Sequence, residues 1–275
     1  MDQYRVYGNP ISQSKSPQIH QSFASQTEQV INYQSELVAV DEFEQTVRQF
    51  MADGGKGANV TVPFKEEAMA ICDELTSRAK LAGAVNTLSF KAGKILGDNT
   101  DGLGLVNDLL NHQVTLANKR ILLLGAGGAA KGVILPLLEQ KPTSITIANR
   151  TVSKAEALAS KFNNKRINAC GFSQTSGQNF DVIINATSAS LSGDPLPIPP
   201  SVITTDSICY DMVYSSEATA FNSAAINNGA KQTIDGLGML VGQAAESFTL
   251  WRGVAPETTQ VYQQLKRALM ASNPE

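Results

Sequence analysis

The sequence predicts an α/β protein of two domains. Short apolar runs alternate with stretches of helical periodicity along most of the chain, an order typical of a mainly parallel sheet flanked by helices. At 275 residues the chain is also longer than a typical single domain. From Leu237 the pattern changes to long helices, and we expect these to return to the first domain. That domain then comprises 1–101 and 237–275, and the second comprises 102–236.

The first domain is expected to open with a strand at 3–8, which Asn9-Pro10 ends. Ser16-Pro17 is typical of a helix start, with Ser16 as the N-cap, and this helix continues to Ala24. The elements that follow are a strand at 31–40, a helix at 41–51 capped by Asp41, a strand at 57–62, helices at 64–71 and 75–82, a hairpin-like pair at 85–90 and 94–96, and a helix from Asp101 to Leu110.

The second domain repeats the alternation of strands and helices. We expect strands at 120–124, 144–148, 166–169, 181–185, 207–211 and 231–234, and helices at 128–139, 151–161 and 217–227. After this domain, apolar residues recur every three or four positions as far as Trp251, which predicts one long amphipathic helix. A last helix is expected at 257–271.

The composition argues against several classes of protein. Twenty-two Lys and Arg against 25 Asp and Glu give a net charge of −3, so we expect no binding to nucleic acid or to a membrane surface. Residues 1–10 lack the apolar core of a signal peptide, and the apolar stretch near 121–135 is too short to span a bilayer. Three widely spaced cysteines and two histidines favour reduced thiols and no metal site. We expect a cytoplasmic monomer or homodimer.

Residues 120–131 contain a glycine fingerprint for a dinucleotide. The strand that ends at Leu124 leads into Gly125-x-Gly127-x-x-Ala130, and a helix follows. Gly125 allows a tight turn, Gly127 lets the backbone approach a pyrophosphate, and Ala130 lets helix and strand pack closely. The free amides of the helix start then point at the phosphates. The alternative is a purely structural turn, but the context favours a Rossmann-type domain.

The next strand ends in a group of cationic and neutral polar residues, Asn149-Arg150-Thr151 and Lys154. A site that prefers NAD usually has a carboxylate here for the ribose 2′-hydroxyl, whereas an Arg suits a 2′-phosphate. No carboxylate is present, and the guanidinium fork of Arg150 matches phosphate oxygens. Arg150 and Lys154 could instead belong to a solvated helix start, although cations are mildly disfavoured there. The pattern favours NADP as the cofactor.

The first domain carries four groups of polar residues that suit the recognition of a small molecule. Ser14 and Ser16 lie at a helix start, where hydroxyls and free amides suit a carboxylate, although Ser16 could serve only as a cap. Asn59 and Thr61 share one face of a predicted strand. Two turns follow, Gly83-Ala-Val-Asn86-Thr87 and Asp98-Asn-Thr-Asp101-Gly, and the second has more acidic and amide side chains than an N-cap needs.

Lys65 falls in the first turn of a predicted helix, where the helix dipole disfavours a cation. A catalytic lysine is one interpretation, and a solvated lysine beside Glu66 and Glu67 is the alternative.

Together these motifs resemble the shikimate dehydrogenase family. The resemblance rests on Ser14-x-Ser16, Asn59-x-Thr61-x-Pro63-x-Lys65, Gly83-Ala-x-Asn86-Thr87, Asp98-Asn-Thr-Asp101-Gly, Gly125-Ala-Gly-Gly-Ala, Asn149-Arg-Thr151, Asn185-Ala-Thr-Ser188 and Asp235-Gly-Leu-Gly-Met-Leu-Val-Gly-Gln243-Ala. They occur in the family's order from residue 8 to about 252. The family implies a substrate domain and a Rossmann-type domain, and the reduction of 3-dehydroshikimate to shikimate with NADPH in aromatic amino-acid and chorismate biosynthesis.

The resemblance also implies a role for individual residues. Lys65 would be the general acid/base, with Asp101 as its partner at the reacting hydroxyl. The substrate would be bound by Ser14, Ser16, Asn59, Thr61, Asn86, Asp101, Tyr214 and Gln243. The pyrophosphate would be held by Gly125, Ala126, Gly127, Gly128 and Ala129, and the 2′-phosphate end by Asn149, Arg150, Thr151 and Lys154. The nicotinamide would lie along Thr187, Met212, Gly236 and Met239.

Two segments depart from the family pattern. Ser190 stands where the family often has glycine after Asn-Ala-Thr-Ser-x, and Ser216 and Ala220 stand where prolines are usual. These departures affect loops expected beside the nicotinamide or the substrate. Separately from them, there are two alternative functions. One is a quinate/shikimate dehydrogenase that uses NAD, which an acidic residue after the 144–148 strand would favour. The other is a non-catalytic NADP-binding regulator, which the loss of Lys65 or Asp101 would favour.

Overall fold

The computed structural model describes residues 1–192 and 198–271 of the chain, and the chain divides into two compact units. Unit 1 comprises Met1–Gly104 and Val241–Gln263, and unit 2 comprises Leu105–Leu240 and the residues from Gln264 onward. The sequence-based boundaries lie at 101/102 and 236/237 and place the whole last helix in the first domain. In the structure the end of that helix groups with unit 2, where the charge of Lys266 lies close enough to act on His112.

Unit 1 is built around a six-stranded mixed sheet. Its strands are β1 (Asp2–Gly8), β2 (Ile31–Leu37), β3 (Gly57–Val60), β4 (Glu74–Leu75), β5 (Thr87–Lys91) and β6 (Lys94–Asp98), in the order β2-β1-β3-β5-β6-β4. Its helices are α1 (Ser16–Gln26), α2 (Phe43–Ala52), α3 (Lys65–Ala70) and α4 (Ser77–Ala82). β1 is parallel to β2 and β3, whereas β5 is antiparallel to β3 and β6, so the predicted hairpin-like pair is present.

Unit 2 contains a six-stranded sheet that is parallel throughout. Its strands are β7 (Arg120–Leu124), β8 (Ser144–Ala148), β9 (Ile167–Cys170), β10 (Val182–Asn185), β11 (Ile208–Asp211) and β12 (Gln232–Ile234), in the order β12-β11-β10-β7-β8-β9. Its helices are α6 (Gly128–Glu139), α7 (Val152–Phe162), α8 (Ala189–Ser192) and α9 (Ala220–Asn227). This strand order is that of a Rossmann fold, whose switch point lies between β7 and β10.

Three helices contain residues of both units: α5 (Asp101–Asn111), α10 (Leu237–Arg252) and α11 (Thr259–Ala271). In unit 2 the buried residues of β7 alternate between two apolar clusters, Ile121 and Leu123 in one and Leu122 and Leu124 in the other. The sheet is therefore covered on both faces, as a parallel sheet requires. The predicted α/β class is confirmed. Among the described residues, none of the helices combines the length and apolar character needed to span a membrane.

The structure corrects several local predictions. Ser16 is the first residue of α1 rather than its N-cap, and Lys15 occupies the N-cap position without a side-chain bond. Asp41 does not cap α2, because that helix begins at Phe43 and Glu42 precedes it. β2 ends at Leu37, three residues before the predicted end, because the chain turns where Glu42 donates its backbone N–H to Ala39.

The region before α4 also differs from the prediction. A helix was expected to begin at residue 75, but Glu74 and Leu75 form a short strand parallel to β6. Thr76 then caps α4 by accepting a hydrogen bond from the backbone N–H of Ala79 at 3.3 Å. Glu74 and Leu75 pair with residues about 20 positions later in the chain, and local periodicity cannot predict such a pairing.

Candidate active site

Lys65 and Asp101 form a close ion pair within unit 1. Lys65 is the first residue of α3, and its Nζ donates to Oδ2 of Asp101 at 2.6 Å. Asp101 is the first residue of α5, where the helix dipole favours a carboxylate and so compensates the poor position of the lysine. The two side chains are 30% and 15% exposed, so both are largely shielded from solvent but remain accessible. The interpretation of Lys65 as a solvated surface cation is not supported.

Asn86 fixes the other oxygen of Asp101. The side chain of Asn86 is buried, and its Nδ2 donates to Oδ1 of Asp101 at 2.8 Å. Its Oδ1 accepts from the backbone N–H of Thr100 at 2.9 Å and from the hydroxyl of Thr87 at 2.8 Å. Oε1 of Gln243, on α10, lies 3.4 Å from the same Nδ2. The predicted residues Lys65, Asn86, Asp101 and Gln243 therefore lie together in one unit.

The turn that precedes Asp101 is anchored by a second ion pair, which the sequence did not reveal. Arg78 donates to both oxygens of the buried Asp98 at 2.7 and 2.6 Å, and the hydroxyl of Thr76 donates to Asp98 at 2.7 Å. Asn99 accepts from the backbone N–H of Asp101 at 3.2 Å. The acidic and amide residues of this turn thus hold the backbone that presents Asp101.

Asn59 is buried and bonded to protein groups through both of its polar atoms. Its Oδ1 accepts from the hydroxyl of Tyr33 at 2.7 Å, and its Nδ2 donates to Ser247 at 3.0 Å and to Thr87 at 3.2 Å. Because β3 ends at Val60, Thr61 lies in the following turn and does not share a strand face with Asn59. Thr61 is half-buried, and its backbone N–H donates to Tyr7 at 2.9 Å.

Tyr33 and Ser247 were missed at the level of sequence. Ser247 is fully buried and donates to the backbone oxygen of Gln243 at 3.0 Å, one turn earlier on α10. A spacing of four residues places both side chains on one helix face, and this spacing was the available indication. For Tyr33, burial raises the pKa well above that of an ordinary phenol, and nothing in the alternation of β2 indicated its contact with Asn59.

Ser14 and Ser16 lie together at the start of α1. The backbone N–H of Ser16 is 3.3 Å from the hydroxyl of Ser14, and Ser14 is half-buried. The first turn of α1 contains no acidic residue, and its N-cap provides no side-chain hydrogen bond. Hydroxyls at the start of a helix can bind a carboxylate, because the helix dipole favours an anion there.

In unit 2, the glycine-rich turn has the geometry that a pyrophosphate needs. Gly125 has a φ of +106°, in a conformation that favours glycine. No heavy atom lies within 4 Å of a Cβ built on Gly127 or Gly128, and Gly127 precedes α6 without a side-chain cap. Ala130 is fully buried, whereas 127–129 are exposed. The open backbone and free amides of α6 fit a dinucleotide phosphate.

The polar group after β8 is exposed and lies at the start of α7. Asn149 donates to the backbone oxygen of Thr151 at 2.9 Å, and Thr151 is the N-cap of α7 but forms no side-chain cap. Arg150 and Lys154 are exposed, and neither forms an ion pair with any described residue. The first turn of α7 contains no acidic residue. Two cations that lack an acidic partner in the described part of the chain fit a 2′-phosphate.

The residues expected along the nicotinamide meet at the carboxyl ends of the unit 2 strands. A Cβ on Gly125 would lie 3.1 Å from the methyl group of Thr187, so the two residues are in contact. A Cβ on Gly236 would lie 2.1 Å from the backbone oxygen of Met212, so only glycine fits there. Met239 is half-buried against the core of unit 2. In a Rossmann fold this edge of the sheet is where ligands bind.

Tyr214 follows the same edge, and burial raises the pKa of its phenol. It belongs to unit 2, whereas the other seven residues predicted to bind substrate belong to unit 1. The described residues contain no cluster of three or more His, Cys, Asp and Glu side chains arranged for a metal ion.

Three family models match successive parts of the chain. They describe a shikimate dehydrogenase substrate binding domain (residues 6–88), a shikimate/quinate 5-dehydrogenase (residues 108–192) and a shikimate 5′-dehydrogenase C-terminal domain (residues 236–266). The chain is 60% identical over 268 residues to a shikimate dehydrogenase (NADP(+)) of Colwellia psychrerythraea, and the alignment covers 98% of both proteins.

Solved structures agree with these matches. A crystal structure of an Ael1 enzyme from Pseudomonas putida is 43% identical with a TM-score of 0.94, and the match covers 96% of this chain and 98% of that one. The shikimate 5-dehydrogenase of Thermus thermophilus, in complex with NADP(H) and shikimate, is 29% identical with a TM-score of 0.87. That match covers 98% of this chain and 100% of the other.

Proposed function

Because the chain belongs to the shikimate dehydrogenase family, we propose that it catalyses the reversible reduction of 3-dehydroshikimate to shikimate with NADPH. The observation that supports this most directly is the Lys65–Asp101 ion pair at 2.6 Å, whose carboxylate is oriented by Asn86. This arrangement supplies an acid/base group without a metal ion. The proposed place of the reaction is the shikimate pathway, which leads to chorismate and the aromatic amino acids.

The cofactor is NADP, and when bound its reduced form supplies the hydride. We assign its pyrophosphate to the backbone of 125–129 and its 2′-phosphate to the residues after β8, above all Arg150. Thr187, Met212, Gly236 and Met239 would bound the nicotinamide. These assignments rest on the open glycine turn and on the uncompensated cations described above.

Lys65 and Asp101 would move the proton. As the carbonyl of the substrate is reduced, its oxygen gains negative charge and needs a proton. The Lys65 ammonium group would donate this proton. Asp101 would hold the lysine in place and accept a hydrogen bond from the reacting hydroxyl of the substrate. Because the two groups share a hydrogen bond at 2.6 Å, we expect them to act as one unit.

The remaining polar residues would orient the substrate ring. The hydroxyls of Ser14 and Ser16, at the start of α1, and the phenol of Tyr214 suit its carboxylate. Thr61, Asn86, Asp101 and Gln243 offer hydroxyl, amide and carboxylate groups for the ring hydroxyls. Asn59 would act beside them, through its bonds to Thr87 and Ser247.

Substitution of the ion pair tests this function. Lys65→Ala and Asp101→Ala should each lower kcat by about 10²–10⁴, which is typical of a lost acid/base group. The shikimate KM should change less for Lys65→Ala, because proton transfer matters mainly in the transition state. The double variant should be little worse than either single one. Lys80→Ala, which removes an exposed lysine from α4, is the matched control and should keep normal rates.

The kinetics of Lys65→Ala could also exclude the proposed role of Lys65. If Lys65→Ala kept a near-normal kcat and an unchanged pH dependence, Lys65 would not be the acid/base group and the proposed mechanism would fail. NADPH binding, followed by cofactor fluorescence, should survive in every variant because the glycine turn lies in unit 2. A loss of that binding would show that the substitutions act through misfolding.

We also propose that the protein is a cytoplasmic monomer or homodimer. Cys72, Cys170 and Cys209 are all free, and burial raises the pKa of Cys72 and of Cys209 to about 12, which favours inert thiols over disulfides. Light scattering coupled to size-exclusion chromatography should give a mass near 29 or 59 kDa, about one or two times the 29.3 kDa of the chain. A larger mass would contradict this part of the proposal.

A further inference from the structure

Asp211 is a fully buried carboxylate that the proposed mechanism does not use. It is the last residue of β11, at the same sheet edge as the glycine turn, and its side chain is 0% exposed. In the described part of the chain its oxygens are bonded to neutral donors rather than to a Lys or Arg. A buried carboxylate without a cationic partner is costly and therefore needs an explanation.

The donors that bind Asp211 within the described residues come from two segments. Asn185 Nδ2 donates at 3.0 Å and the hydroxyl of Ser190 at 2.6 Å, from the end of β10 and the segment that follows it. The backbone N–H of Val213 donates at 3.1 Å and the hydroxyl of Thr219 at 2.6 Å, from the segment that follows β11. The two hydroxyl bonds are the shortest of the four. Asp211 therefore ties these two segments together.

The bond to Asp211 also determines how Asn185 is oriented. With its Nδ2 facing Asp211, Asn185 presents its Oδ1 to Thr187 and accepts from the backbone N–H at 3.0 Å and from the hydroxyl at 2.7 Å. The backbone oxygen of Asn185 accepts from Met212 at 3.0 Å. A chain of hydrogen bonds thus leads from Asp211 to two of the residues assigned to the nicotinamide.

Ser190 gives this arrangement a feature particular to the present chain. Ser190 stands where shikimate dehydrogenases often have glycine, and a glycine would offer no hydroxyl to Asp211. Ser190 both donates to Asp211 and accepts from Asn185 Nδ2 at 3.2 Å. In this chain the serine at position 190 therefore adds hydrogen bonds to the cluster around Asp211.

We propose that Asp211 is a positioning residue for the nicotinamide end of the NADP site, and that Ser190 assists it. Asp211 acts through Asn185, Val213 and Thr219 and does not contact the cofactor itself. Its role is to hold Thr187 and Met212 in register beside the glycine turn. The proposal rests on the proposed function only in that this site binds NADP.

The test compares the whole cofactor with its adenine half. Asp211→Asn keeps the shape of the side chain but replaces an acceptor with a donor that faces hydroxyl and amide donors. The Kd of NADPH, measured by nicotinamide fluorescence, should rise about tenfold or more, because misplaced contacts weaken binding. The Kd of adenosine 2′,5′-bisphosphate, measured by calorimetry, should stay within about twofold, since its contacts lie at the other end of the site.

Asp181→Asn is the matched control. Asp181 directly precedes β10, at the opposite end of the strand, and accepts from the backbone N–H of Arg120 at 2.7 Å. The same chemical change there should alter neither Kd. If Asp211→Asn does not fold, Ser190→Ala replaces it as the test and should raise the Kd of NADPH at least about threefold, because one of the bonds that hold Asp211 is lost.

Each outcome decides the proposal. Unchanged NADPH binding in Asp211→Asn, or in Ser190→Ala where the first variant does not fold, would overturn it. Equal weakening of NADPH and adenosine 2′,5′-bisphosphate would also overturn it, because Asp211 would then support the fold of unit 2 and not one end of the site. If the wild-type chain binds NADPH but does not oxidise shikimate, the proposed function fails while the comparison of the two Kd values still stands.

Discussion

Lys65 shows how a residue that is poorly placed by local rules marks a functional site. A cation at the first residue of a helix opposes the helix dipole, and the structure compensates it with the carboxylate of Asp101 at the start of another helix. The sequence indicated that the position is unusual. It did not reveal Arg78 and Asp98, because their pairing depends on how the turn before Asp101 folds back on α4.

Arg150 should determine the choice between NADPH and NADH. Its guanidinium group is exposed after β8 without an acidic partner among the described residues, so its charge is available to a 2′-phosphate. Arg150→Ala should raise the NADPH KM by about 10–100-fold, the equivalent of about 1.5–3 kcal/mol for a charged hydrogen bond. The NADH KM should change little.

The control for this prediction is Lys161→Ala, which removes an exposed cation from the last turn of the same helix. Steady-state kinetics with both cofactors should show no change of preference in that variant. Equal effects of Arg150→Ala on NADPH and NADH would show that Arg150 does not recognise the 2′-phosphate.

His20 should make the stability of the protein depend on pH. It is fully buried on α1 and stacks on Tyr33 with ring centroids 4.1 Å apart, and burial lowers its pKa to about 3. The unfolded chain therefore binds a proton below pH 6.5 that the folded chain does not bind, so stability falls as the pH falls from about 6.5 toward 3. The slope is about 1.4 kcal/mol per pH unit at the middle of this range.

His20→Phe should remove the contribution of His20 to the pH dependence of the free energy of unfolding. Urea unfolding experiments between pH 4.5 and 6 provide the measurement. His112 provides the opposite case, because its bond to Asp108 raises its pKa. Its contribution is fully present below pH 6.5 and is lost as the pH rises through its folded-state pKa, so His112→Gln should leave the acidic slope unchanged. A slope that persisted in His20→Phe would mean that other groups cause it.

At the scale of elements, most strands and helices could be predicted from periodicity, whereas their ends could not. Ser16 and Asp41 have the residue types of N-caps, but neither caps its helix. Capping needs a particular backbone conformation as well as a suitable side chain, and the turns before α1 and α2 do not provide it. The two-residue strand β4 was missed because only its pairing with β6 defines it.

Thr76 is the cap that the sequence did not reveal, and its loss should be measurable. It accepts from Ala79 at the start of α4 and donates to the buried Asp98, so Thr76→Ala removes two bonds. The expected loss is about 1 kcal/mol for the cap, which lowers the melting temperature by about 2–4 °C in a chain of this size. Differential scanning calorimetry provides the measurement.

Ser77→Ala is the control for Thr76, because Ser77 is an exposed residue in the first turn of the same helix. It should melt within about 1 °C of the wild type. A Thr76→Ala variant with an unchanged melting temperature would show that the cap contributes nothing to stability.

At the scale of the whole molecule, the fold class could be predicted but the strand order could not. Alternating apolar runs and helices indicate a parallel sheet, yet the order β12-β11-β10-β7-β8-β9 depends on pairings between distant segments. The same limit applies to the site. Ser247 lies 160 positions after Thr87 and contacts its hydroxyl at 2.8 Å, so no local pattern could place the two together.

Substrate and cofactor preference belongs to the molecule as a whole, and it is the most direct test of the central claim. Initial rates of the wild-type chain should be measured with shikimate or quinate as substrate and with NADP⁺ or NAD⁺ as cofactor. We predict that kcat/KM is highest for shikimate with NADP⁺. It should be at least about tenfold lower with NAD⁺, since losing the charged contact to the 2′-phosphate costs that much, and it should also be lower with quinate. Preference for quinate with NAD⁺, or no turnover of shikimate with either cofactor, would contradict this prediction.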